Sequence, residues 1–132
     1  MELMLDTANL SEIERALDTY PISGVTSNPS ILKAEGGVPF FPHMQKIRKL
    51  IGDERSLHVQ VISHDADTII AEARRILREL GPTTFVKIPL TDEGLKAIRI
   101  LASEQVNITA TAIYTTMQGI LAMLSGARYL AV

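Results

Sequence analysis

Strand-like and helix-like segments alternate along the whole of this 132-residue chain, joined by short connections. Leu3 to Asp6 is an apolar run ending in an acid and reads as a strand. Ile22 to Asn28, Leu57 to Ile62, the stretch from Thr84 that holds FVKIP, Asn107 to Ile113 and Arg128 to Val132 read as five more. Between them lie helical patterns. Leu10, Ile13, Leu17 and Tyr20 recur at spacings of three and four behind a capping Asn9, and a basic helix runs from about His43 to Leu50 and stops at Gly52. The clearest stripe is Ala66, Ile69, Ile70, Ala73, Ile76, Leu77 and Leu80, ended by Gly81-Pro82. Thr91 to Glu93 start a helix that buries Leu95, Ile98, Leu101 and Ala102, and Met117, Ile120, Leu121 and Leu124 mark another as core packing. Asn28-Pro29 is a turn signal, and Ser30 to Pro42 is expected to be loop.

Such alternation demands a parallel sheet whose strands are covered by helices. An open doubly wound sheet and a (βα)8 barrel both satisfy it. The nucleotide-binding forms of the open sheet lose their best evidence, because no Gly-x-Gly-x-x-Gly follows the first strand and no Gly-Lys-Ser/Thr loop occurs.

Composition narrows the function further. Residues 1–132 suffice for one domain, and a net charge of −2 argues against nucleic acid or an anionic membrane as partner. No stretch approaches the roughly 18 unbroken apolar residues of a membrane span, so a cytoplasmic protein is the default expectation. The absence of cysteine removes disulfides, zinc-thiolate sites and thiol nucleophiles.

Chemistry concentrates on Lys87, set between Val86 and Ile88. Strand alternation puts Phe85, Lys87 and Pro89 on one face of a sheet expected to be buried on both. One reading is a structural lysine at a sheet edge, its stem buried and its ammonium in water. The other is a desolvated lysine whose neutral amine attacks a carbonyl to form a Schiff base.

Polar residues on the other strands favour the second reading and the barrel. Asp6 follows Met4 by two, Asn28 follows Thr26, Gln60 follows His58, Lys87 follows Phe85 and Thr111 follows Thr109. Polar groups of one parity and one height converge at the mouth of a barrel, where barrel active sites lie. Any one of them alone is an ordinary turn or cap residue.

The motifs MLDTAN, GVTSNPS at 24–30, HVQVIS at 58–63, VKIPLT at 86–91 and TAIY at 111–114 resemble the fructose-6-phosphate aldolase and small microbial transaldolase family. The resemblance implies an α/β fold of (βα)8 TIM-barrel type, incomplete here, with about six strands present and two C-terminal βα units missing. It implies a class I mechanism with no metal and no cofactor, acting on a small-molecule sugar phosphate or dihydroxyacetone. Lys87 would form the Schiff base, Asp6 would assist proton transfer, and Gln60 and Thr111 would position a water. Thr26, Asn28, Thr109 and Ala131 match substrate-side positions. Gln60, where transaldolases usually carry Glu, and Thr109, where Asn is common, both favour the aldolase branch, while His58 stands where an aromatic is usual.

An apolar final strand without a covering helix leads us to expect a homo-oligomer or a displaced terminal strand, with weak or absent activity on phosphorylated sugars. A non-catalytic barrel fragment is a further alternative. A metal site built from His43, His58 and His64 lacks an acid pair at ligand spacing. Lys46, Arg48 and Lys49 read as a solvated helix face before a phosphate site.

Overall fold

The computed structural model describes residues 1–132. Six strands, β1 (Leu3–Asp6), β2 (Ile22–Thr26), β3 (Ser56–Gln60), β4 (Phe85–Pro89), β5 (Ile108–Thr111) and β6 (Tyr129–Leu130), form one sheet in sequence order, every neighbouring pair parallel. The connections carry α1 (Leu10–Thr19), α2 (Pro29–Ala34), α3 (Phe40–Ile51), α4 (Ala66–Leu80), α5 (Asp92–Ser103) and α6 (Thr116–Leu124). Strand order equal to chain order is what successive βα units produce as they close toward a barrel, and it rules out the order reversal of a doubly wound sheet.

Local sequence starts and stops these helices. Asn9, Asn28, Asp65, Thr91 and Thr115 each accept a hydrogen bond from a first-turn amide, so orphan N–H donors are satisfied at five helix starts. Gly52 and Gly81 end α3 and α4. The segment expected as loop contains α2. Asn28-Pro29 is a cap followed by proline at the first helical position, where its missing N–H costs nothing, so the pair starts a helix.

One face of the sheet is sealed by helices. Val25, Leu57, Val59, Val86, Ile88, Ile108 and Ala110 join Ile13, Met44, Ile47, Ile69, Ile76, Ile98 and Leu101 in one buried cluster. The opposite, concave face carries Asp6, Thr26, His58, Gln60, Phe85, Lys87, Thr109 and Tyr129, and part of it stays open, with Asp6 exposed. The expectation of a sheet buried on both faces therefore holds for the outer face only.

Curling is visible in contacts that skip strands. Tyr129 on β6 donates its hydroxyl to the Glu2 carboxylate beside β1 at 2.5 Å, and the Tyr129 ring meets His58 of β3 edge-on at 5.1 Å between centroids. The sheet is a curled half-barrel. Its last strand is not displaced: the Arg128 amide donates to the Ile108 carbonyl at 2.9 Å and the Ala131 amide to that of Ala110 at 2.8 Å.

The stripe on α6 corrects another expectation. Met117 is 61% exposed and Leu124 is 80% exposed, with Ile120 and Leu121 also exposed; the residues α6 buries are Gly119 and Ala122. Small residues let the helix sit close to the sheet, so the larger apolar side chains lie to the sides. Periodicity showed an apolar helix but not which flank would be covered.

Candidate active site

Lys87 sits at the middle of β4, a central strand, and is 7% exposed. An edge-strand lysine is thereby excluded. Both ion pairs of the molecule, Arg74 with Glu104 and Lys96 with Glu93, lie on outer helices, and neither engages Lys87. A buried amine without a carboxylate partner is uncommon, since burying an unpaired charge is costly.

Pairing places its neighbours. Gln60 of β3 and Thr109 of β5 stand opposite Lys87, on the same concave face. One step toward the start of the strands, Asp6, Thr26, His58 and Phe85 form a second row. Thr111 pairs with Pro89, one step further on. The polar residues are thus not on one rung, as parity alone suggested, but on a diagonal that advances four residues from Asp6 on β1 to Thr111 on β5. Strands of an eight-stranded barrel tilt by roughly 36° and shift by about one residue per strand. A diagonal of that slope runs level around the barrel axis, so the stagger is what gives these groups a common height.

Two of the expected residues are bonded to each other: the Thr26 hydroxyl donates to Asp6 Oδ1 at 2.6 Å. Asn28 uses its side-chain oxygen to cap α2, accepting from the Ile31 amide at 3.0 Å. Thr109 is 4% exposed and its hydroxyl lies 2.7 Å from His58 Nδ1. Ala131 is held to β5 by its amide, and β5 leaves the sheet through Ala112, whose φ of 57° lies in the left-handed region that non-glycine residues seldom visit.

Loops at this end are pinned by carboxylates. Glu72 of α4 accepts from the Ile62 amide at 3.0 Å, the Ser63 amide at 2.9 Å and the Ser63 hydroxyl at 2.6 Å, which fixes the loop just beyond Gln60. Glu93 of α5 accepts from the Ala66 amide at 3.0 Å and ties the next loop to α4.

His58 is the residue whose importance the motif reading understated. It is 1% exposed, stacks on Phe85 at 4.5 Å between centroids, and is held at a pKa of about 4 by burial and then by the charge of Lys87. The imidazole is therefore neutral at pH 7. The signal was present in the sequence as two polar residues, His58 and Thr109, on inward-facing strand positions.

The three histidines do not assemble into a metal site. His43 on α3 bonds the Ala8 carbonyl at 2.6 Å, His58 is in the concave face, and His64 is exposed in a loop. Arg48 is a staple: its guanidinium donates to the Arg55 carbonyl at 3.0 Å and the Thr84 hydroxyl at 3.1 Å, while Lys46 and Lys49 face solvent.

A half-barrel of parallel βα units with a buried, unpaired lysine and polar groups at the C-terminal ends of its strands defines a chain of the (βα) barrel class. The Transaldolase/Fructose-6-phosphate aldolase family model matches residues 3–132, and the chain belongs to that family. It is 51% identical over 131 residues to a probable fructose-6-phosphate aldolase of Streptococcus pneumoniae (strain ATCC 700669 / Spain 23F-1). That match covers 99% of this chain and 59% of the relative, so the chain spans little more than half the length of the protein it matches. No helix is long and apolar enough to cross a membrane.

Proposed function

We propose that the chain carries the Schiff-base half of a class I aldolase site, in which Lys87 captures the carbonyl of a ketose such as fructose 6-phosphate or dihydroxyacetone. The observation that carries this reading is Lys87 itself, buried on a central strand, free of any ion pair and flanked on its rung by Gln60 and Thr109. The amine nitrogen adds to the ketone carbon, and loss of water from the carbinolamine gives the imine. Removal of the proton on the hydroxyl of the fourth carbon then breaks the bond between the third and fourth carbons. The electron pair moves into the imine as an enamine, and an aldehyde departs.

Asp6 is the acid positioned for proton transfer, oriented by the Thr26 hydroxyl. Gln60 and Thr111 flank Lys87 on the diagonal and hold the water that dehydration of the carbinolamine releases and imine hydrolysis consumes. Asn28, Ala131 and Thr109 are the residues we assign to substrate binding, on the family resemblance of their positions.

An amide at position 60 cannot exchange protons itself, which favours protonation and hydrolysis of the enamine, the aldolase outcome, over transfer to a second aldehyde. The holder of this site would work as a homo-oligomer on a small molecule. Borohydride reduction in the presence of dihydroxyacetone tests the reading: a mass increase on the peptide containing Lys87, absent from Lys87→Met, supports it, and an unmodified Lys87 defeats it.

A further inference from the structure

Three rings lie together on the concave face beneath Lys87, toward the strand starts. His58 stacks on Phe85 at 4.5 Å between centroids, and the Tyr129 ring meets each of them edge-on at 5.1 Å. Phe85 comes two residues before Lys87 on the same face of β4 and pairs with His58. Tyr129 pairs with Thr109, the partner of Lys87, but stands two strands further on. A stagger of about one residue per strand brings it down to the level of the other two rings. The trio is one layer of the interior, and the polar diagonal is the layer above it.

These rings are anchored. The His58 nitrogens lie 2.7 Å from the Thr109 hydroxyl and 3.0 Å from that of Ser56, and the Tyr129 hydroxyl bonds Glu2 at 2.5 Å. Phe85 is held between the other two rings. A layer fixed in this way cannot swing aside for a longer ligand.

Strand geometry gives the room above it. Two residues along a strand span roughly 6.6 Å, and carbon atoms in contact stay about 3.6 Å apart. A carbonyl carbon held level with Lys87 therefore has roughly 3 Å toward Phe85. A hydroxymethyl group, two heavy atoms long, fits that distance, and a three-carbon chain overruns it. The aldehyde released on cleavage leaves through the mouth, so the end of the ketone that stays bound points the other way, at the rings.

We propose that Phe85, His58 and Tyr129 are specificity-determining residues, a stop that limits the inner end of the ketone to two heavy atoms. The proposal rests on the Schiff-base reading and names the size of ketone that Lys87 captures.

The test compares two isomers, 2-heptanone and 4-heptanone, by the rate at which cyanoborohydride traps each on the peptide containing Lys87. The first can turn a methyl group inward; the second has a three-carbon chain on both sides. The proteins are the wild type, Phe85→Ala, Tyr129→Leu and, as a control, Ile98→Ala, which opens a cavity in the fully buried core on the helix side. Far-ultraviolet circular dichroism and a cooperative urea transition check that each is folded. Taking the ratio of the two isomers, relative to wild type, cancels the intrinsic reactivity of the ketones and any general change at Lys87. Expected is a 4-heptanone to 2-heptanone ratio at least about tenfold higher in Phe85→Ala, the discrimination that one methylene gives in a tight pocket, with a smaller rise in Tyr129→Leu and none in Ile98→Ala. Tyr129→Leu changes a ring that is only half-buried and carries the test should Phe85→Ala not fold. A wild-type ratio in both ring variants, no 4-heptanone adduct in either, or an equal rise in Ile98→Ala overturns the proposal while leaving the Schiff base standing. An absent dihydroxyacetone adduct in the wild type removes the Schiff base itself, and the proposal with it.

Discussion

His58 Nδ1 lies 2.7 Å from the Thr109 hydroxyl although the whole of β4 runs between their strands. Neighbouring strands are about 4.8 Å apart, so backbones two strands apart in a flat sheet are separated by roughly 9.6 Å. Side chains on the concave side of a curled sheet lean together, and this bond measures how far the curl has gone. The same curvature brings Lys87, between them on β4, to the bottom of the concavity.

Acid sensitivity follows from His58. Its pKa is lowered to about 4 from 6.5, by burial first and the Lys87 charge second, with Glu2 opposing and Arg48 adding. As pH falls, the unfolded chain takes up its proton near 6.5 while the native one resists until about 4. Stability from this group is thus complete above the higher value and lost progressively between the two, by on the order of 3 kcal/mol. Urea midpoints measured from pH 7 downward will show this loss, and His58→Phe will flatten that part of the profile.

Lys87→Met should abolish the borohydride adduct without unfolding the chain. A thioether of similar length fills the same space and no longer needs water or a counter-ion, so stability is expected to hold or rise by about 1 kcal/mol. Urea denaturation distinguishes this from a structural lysine, whose loss would lower the midpoint.

Gly24 is required by close approach rather than by its backbone angles. A β-carbon there would lie 2.1 Å from Ser56 Oγ and 2.7 Å from the Ser56 carbonyl oxygen. Gly24→Ala should cost roughly 1–3 kcal/mol. Adding Ser56→Ala relieves the hydroxyl clash but not the carbonyl one, so thermal melts should show only partial recovery.

Replacing both Met117 and Leu124 by Gln should change stability by no more than about 0.5 kcal/mol, since both side chains are exposed. A core role, the reading that periodicity suggested, would cost several times more. Thermal denaturation decides between them.

What was legible in the sequence was what neighbours along the chain decide. The face shared by Phe85 and Lys87, the stripe of α4 and the caps Asn9 and Thr91 depend on a few adjacent residues. The Asn28-Pro29 pair was misread because proline opens a helix as readily as a turn. The diagonal from Asp6 to Thr111 and the union of His58 with Thr109 were hidden, because stagger and curvature belong to the assembled sheet and to no single segment.

Three tyrosines and no tryptophan supply the chain's near-ultraviolet emission. Tyr20 and Tyr114 are exposed, whereas Tyr129 presses its ring against His58 and Phe85 and bonds Glu2. Light from that one phenol therefore serves as a built-in gauge of closure: should the two rims of the sheet part, its intensity and polarisation would change while those of the other two stayed constant.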